Sequence, residues 1–201
     1  MRMDKKQLTE QTEAAFDYVE KLYFECAYLI KEIEGLLKAK DEKFIMGQQR
    51  GYQISASSSL GLNNPDQWIY KKLGAYFVPE NMIKVIGGRT ETSFSKDLKV
   101  IYILMVLSGD ELRTPKATFA VLSDFKKFTP RFPKLEYVVI PYIDRIWNFI
   151  KEQEGTKKKL YKDSFFEFKV NFVTKDLFDI NSVQDIEKKL INPGLKKFRH
   201  E

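Results

Sequence analysis

The sequence predicts a single α+β domain over residues 1–201. One long amphipathic helix (1–40) lies across a mainly antiparallel sheet of about five strands, within a body (44–201) that ends in further helices. Three observations predict it. Residues 4–40 contain no proline and one glycine, and their apolar side chains recur at helical spacing. Beyond residue 50, short alternating or wholly apolar runs are punctuated by Gly, Pro, Asn and Ser, as strands and turns require. The last third returns to a helix, a strand and a helix. With 43% hydrophobic and 14% aromatic residues, the 201-residue chain can bury one core, and no repeat or long linker divides it.

The helix comes first. Leu8, Ala15, Leu22, Leu29 and Leu36 recur every seven residues, and Thr12, Val19, Cys26 and Ile33 form a second column offset by four. Together they alternate as the d and a positions of a heptad. A third column, Phe16, Tyr23, Ile30 and Leu37, widens the stripe beyond a two-stranded seam, to the width that packs on a sheet or in a bundle. Tyr18, Phe24 and Tyr28 make the back of the helix apolar too, which predicts cover on more than one side. Roughly 36 residues extend about 54 Å, against a diameter of roughly 43 Å for a compact body of this size. Either the helix breaks near Gly35, or one end projects and needs a partner.

Residues 50–60 alternate, with Tyr52, Ile54, Ala56, Ser58 and Leu60 on one face and Gln53, Ser55, Ser57 and Ser59 on the other. Residues 63–67 place proline at the first position of a short helix. Residues 75–78 read as a brief strand closed by Pro79, Gly87-Gly88 as a turn, and 89–95 as a loop or edge. The run 98–107 is the most apolar and belongs at the centre of the sheet, covered on both faces. Residues 108–110 turn the chain, and 117–123 form the neighbouring strand. Helical spacing returns over 135–150, broken or started by Pro141. In 164–173, Phe166, Phe168, Val170 and Phe172 point inward, and Phe165, Glu167, Lys169 and Asn171 outward. Asn181, with Gln184 in capping-box position, starts a last helix that ends before Pro193-Gly194.

Composition removes whole classes of chemistry. The only histidine is His200 and the only cysteine Cys26, so no Ser-His-Asp or Cys-His arrangement and no Cys/His zinc set can form. No internal disulfide is possible either, which fits a reducing compartment. There is no GxxxxGK[ST] or GxGxxG run, so no phosphate-cradling loop of recognised type is present; no cofactor and no metal are expected. The first residues, MRMDKKQLTEQTE, lack the apolar core of a signal peptide, and no apolar run approaches membrane-spanning length. The expected location is cytoplasmic, with no membrane contact. The net charge of +6 is concentrated: residues 1–43 carry 8 Lys/Arg against 10 Asp/Glu, whereas 111–201 carry 19 against 13. With a pI near 9.1, the C-terminal half could meet an acidic partner such as nucleic acid.

Three constellations carry the chemistry that remains. Glu167-Phe168-Lys169, with Asp163 four residues earlier, sets a carboxylate and a lysine on one strand face. Such a pair can hold Mg²⁺ beside a reacting water. Over those three residues it resembles the catalytic strand of PD-(D/E)xK nucleases, which implies Glu167 as metal ligand, Lys169 as the cation, and Asp163 or Asp97 as the second carboxylate. Asp97-Leu98-Lys99 repeats the triplet. The alternative is an ordinary solvated strand face. The second constellation, residues 125–134, interleaves Lys126, Lys127 and Arg131 with phenylalanines including Phe128, a pattern that can stack bases and contact phosphates. Lys157, Lys158 and Lys159 could extend it. The alternative is a loop anchored by its phenylalanines. The third is the hydroxyl-rich face of 53–59.

The resulting expectation is a non-enzymatic interaction protein, part of a larger complex, that docks a protein partner or dimerises through its N-terminal helix. Nucleic-acid binding through the C-terminal half is the alternative, and a Mg²⁺-dependent nuclease a further one.

Overall fold

The computed structural model describes residues 4–40, 43–46, 53–54, 71–86, 89–92, 97–108, 113–127, 143–153, 160–164 and 166–199. The expected features at 55–70, 87–88, 109–110 and 128–142 lie outside them, as do those at 154–159. So do Phe128, Arg131, Lys157, Lys158 and Lys159.

Helix α1 runs Lys5–Lys38 without interruption. Asp4 caps it, accepting a bond from the Lys6 backbone N–H. Thr9 and Thr12 donate back to the Lys5 and Leu8 carbonyls at 3.0 and 2.7 Å, so their hydroxyls are satisfied on the helix itself. Gly35 does not break α1; it is exposed, and a Cβ there would meet nothing within 4 Å.

The sheet contains β1 (Phe44–Met46), β2 (Gln53–Ile54), β3 (Lys72–Pro79), β6 (Val100–Val106), β7 (Lys116–Lys127), β8 (Leu160–Lys162) and β9 (Phe166–Asp176). Strand order is β1-β3-β6-β7-β9-β8, all antiparallel, with β2 also pairing β3. A separate two-stranded hairpin joins β4 (Ile83–Ile86) to β5 (Arg89–Thr92), so of the two alternatives for 89–95, a loop or an edge, residues 89–92 form an edge strand. β3 is longer than its sequence signal, because pairing with β6 carries it through Gly74 from Lys72.

Strand β6 is central, and every residue of it is buried. Pleating divides the core in two. Val100, Tyr102, Leu104 and Val106 face helix α2 (Ile143–Glu152), which contributes Ile146, Trp147, Phe149 and Ile150. Ile101, Ile103 and Met105 face the second layer, built from the C-terminal half of α1 and the chain's last helices.

Those last helices depart from expectation twice. The cap is Ser182, one residue later than Asn181: Ser182 Oγ accepts from the Asp185 N–H at 3.1 Å, and Asp185 accepts from the Asn181 N–H. The helix does not stop before Pro193 either. α3 (Val183–Ile186) passes into a π turn (Glu187–Ile191) and then α4 (Asn192–Arg199). The Asn192 N–H reaches the Glu187 carbonyl across the widened turn. A proline interrupts the regular ladder and crowds the carbonyl four residues back, and the π turn precedes it. Gly194 then lets α4 approach β7, since a Cβ there would overlap the Phe119 ring.

Gly194→Ala is therefore expected to destabilise the protein by about 1–3 kcal/mol through overpacking. Urea unfolding measures it, and Phe119→Leu in the same chain should recover part of the loss. Gly35→Ala, in an exposed helix interior, should instead stabilise by about 0.5–1 kcal/mol; a lowered urea midpoint would contradict this.

Candidate functional site

Burial along α1 is abruptly divided. Cys26, Leu29, Ile30, Ile33 and Leu37 are buried against the sheet, with Leu22, Tyr23 and Leu36 packed at the margin. On the N-terminal side the same heptad columns continue, yet Leu8, Thr12, Ala15 and Phe16 are exposed. Leu8 is 51% exposed and Phe16 70%. Of the two sequence alternatives, a break or a projection, the structure has the projection. The back of the helix is uncovered as well: Tyr18, Phe24 and Tyr28 are 61%, 68% and 66% exposed. Cover on more than one side, as their apolarity suggested, is absent among the described residues, where the body meets one side of the helix from Leu22 onward.

Where the buried part begins, α1 forms one wall of an apolar groove of about 460 Å³. Leu22, Cys26 and Leu29 line it from the helix, and Leu177, Phe178, Ile180, Val183 and Ile186 line it from the opposite side. Phe178 and Val183 remain 54% and 42% exposed. Glu25 and Glu32 stand on the α1 wall. Burial, with Glu25 beside it, pushes the Cys26 thiol up to about 11, so at neutral pH it is a small apolar group and not a thiolate nucleophile. The second wall escaped the sequence reading. Its signal was the apolar series Leu177, Phe178, Ile180 and Val183 just after β9, but only folding brings that series beside α1.

The Glu167/Lys169 pair sits in a different setting from an open metal site. Glu167 is buried, not outward-facing, and so is Asn171, whereas Lys169 between them on the same face is exposed. A bulge between Ser123 and Lys126, with Asp124 at φ 53°, re-registers β7 so that Lys126 lies opposite Glu167. The Glu167 carboxylate takes Lys126 at 2.6 Å and Lys162 at 3.3 Å. The hydrogen bond from Lys126 holds its pKa below the usual glutamate range, partly opposed by desolvation and helped by Lys162. Lys169 pairs instead with Asp124 at 2.5 Å.

Asp163 is committed elsewhere. Its carboxylate accepts from Arg145, Tyr161 and the Phe166 N–H at 2.9, 3.0 and 2.8 Å. Burial, then the Asp163 charge, pushes the Tyr161 hydroxyl up to about 12. Asp97 is exposed at the approach to β6, while Lys99 donates to the Phe198 carbonyl at 2.9 Å, at the end of α4. Among the described residues no group of three or more His, Cys, Asp or Glu side chains is arranged to hold a metal ion.

In the basic-aromatic segment, Phe125–Lys127 belongs to β7, not to a loop. The Phe125 ring is buried and lies 5.3 Å from that of Phe168, as an anchor of the core. Lys126 is bound to Glu167, and Lys127 ends the strand. No described helix is long and apolar enough to cross a membrane. Comparison with protein-family models, characterised proteins and solved structures finds no match to this chain.

The Glu167 cluster yields a pH prediction. A carboxyl whose pKa is lowered by folding stabilises the native state above its unfolded value, about 4.3. That contribution is lost as pH falls through the lower native value. Glu167→Gln should therefore unfold at lower urea than the parent at pH 7, and the gap should shrink as pH is taken below about 4. Urea midpoints across pH 7 to 3 measure both effects; a gap that stays constant would refute the assignment.

Proposed function

We propose that this protein is a non-enzymatic interaction protein, one component of a larger complex, and that the N-terminal half of α1 is its docking element. The observation that carries the reading is the continuation of one apolar heptad stripe past the point where the body stops covering it. An exposed stripe of this kind costs solubility unless another surface removes it from water. The groove beside Leu22 and Leu29 adjoins that stripe, so a partner helix laid along α1 would end on a second apolar surface. Binding of this type is the helix-in-groove mode, in which residues at heptad spacing act as anchors. The ion pairs at Glu167, Asp163 and Lys169 act as structural connections between strands and neighbouring elements.

The test is retrieval of binding chains from native-host extract by the full-length tagged protein and by its Leu8→Glu/Phe16→Glu variant. A second copy carrying a different tag is included among the possible partners. Both substitutions fall on exposed helix, so the thermal midpoint should stay within about 1–2 °C of the parent. The parent should retrieve partner chains that the variant loses. Equal retrieval by both, or none by either, would end the proposal.

A further inference from the structure

We infer that the occupant of the exposed stripe is a second copy of this chain, its α1 paired antiparallel to the first over residues 5–22. The inference rests on the docking role proposed above and supplies the partner's identity.

The stripe is self-complementary in this sense. Reversing α1 on itself sets Leu8 opposite Val19 and Thr12 opposite Ala15, the a-against-d layering of an antiparallel helix pair. Small residues at Thr12 and Ala15 occupy the two central layers, where the axes come closest. Phe16 and Tyr18 flank the seam and close over its sides. The polar side chains Glu10, Glu13, Asp17 and Glu20 lie on b and f positions, away from the contact.

Charge argues for the second copy and for this orientation. The exposed turns, 5–21, hold three lysines and four carboxylates, so two copies meet with little net repulsion. In this register Lys5 of each chain falls on the Leu22 turn of the other. There Glu25 stands at the groove, and no ion pair occupies it among the described residues. Residues 44–201 carry 26 Lys/Arg against 18 Asp/Glu. A parallel pair would press these two basic bodies together. The antiparallel pair sends them to opposite ends of a seam roughly 27 Å long, beyond the Debye length of about 8 Å.

Area agrees. Phe16 and Tyr18 are mostly exposed, and aromatic side chains of that size offer roughly 100–150 Å² each. With Leu8 and the smaller seam residues, each copy can bury roughly 500–600 Å², which brings the pair past the roughly 1,000 Å² of a specific interface.

Light scattering on the full chain tests association directly. At about 100 µM the mass should approach twice the 23.6 kDa of one chain, and Ala15→Glu should return it to one chain with an unchanged thermal midpoint. Orientation is read by disulfide trapping. Leu8→Cys and Val19→Cys proteins should cross-link when mixed and not when oxidised separately, whereas a parallel pair would give the reverse. Lys5→Glu should weaken association several-fold, and Glu25→Lys in the same chain should restore it. A monomer at every concentration, a dimer indifferent to Ala15→Glu, or cross-linking of each variant with itself overturns the inference. If the chain stays monomeric while other host proteins are still retrieved through α1, only the self-pairing fails. If retrieval ignores the Leu8/Phe16 substitutions as well, the docking role fails with it.

Discussion

The structure depends on a strand that cannot face water on either side. β6, Val100 to Val106, is apolar at every position, so each pleat of the sheet requires its own cover. On one face α2 supplies it, through Ile146, Trp147, Phe149 and Ile150. On the other face the area is divided between α1 and the C-terminal helices. That division limits how much of α1 can be used. Phe198 packs edge-on against Phe44 with ring centres 5.0 Å apart, and Lys40 meets Glu187 at 2.8 Å, so the last helices and the residues that follow α1 converge on its C-terminal end. At the other end, residues 5–18 are exposed, with no described part of this chain covering them.

The same economy explains the charged constellations. β9 lies between β7 and β8, and of its odd-numbered side chains Glu167 and Asn171 are buried while Lys169 and Lys175 are exposed. Glu167 thus needs cations close by, and the β7 bulge provides Lys126 by changing register beside it. Asp163 does comparable work where β8 gives way to β9, tying the Phe166 N–H, Tyr161 and Arg145 together. Side chains that look like catalytic candidates in a list are, in place, satisfied partners in the connections between strands. Removing one partner of such a cluster costs more than the cluster contributes, because the other is left desolvated.

The surface left without such a task is the apolar one. Its character follows from α1 running past the residues that bury its C-terminal half, and from the groove that opens beside Leu22 and Leu29. The Leu177–Ile186 segment completes that groove by leaving β9 through a 3-10 turn, Leu177–Asp179, and returning toward α1 as α3.

The sequence by itself determined the α+β class, the extent of α1, the columns of its apolar stripe, the central place of β6 and the inward set on β9. Each is a local property: periodicity, capping chemistry and apolar run length are carried by neighbouring residues. Tertiary structure alone decided the rest. A heptad stripe states which side of a helix is apolar, and Leu8 and Leu29 are equivalent in that pattern; whether a surface lies opposite each depends on chain far away. Pro193 reads locally as a stop, but the π turn and the Gly194–Phe119 contact carry the helix through it. The bulge at Asp124, the burial of Glu167 and the second wall of the groove all arise from strand register, a long-range quantity. That is why the boundary between covered and uncovered helix, on which the proposed function rests, could be seen only once the chain was folded.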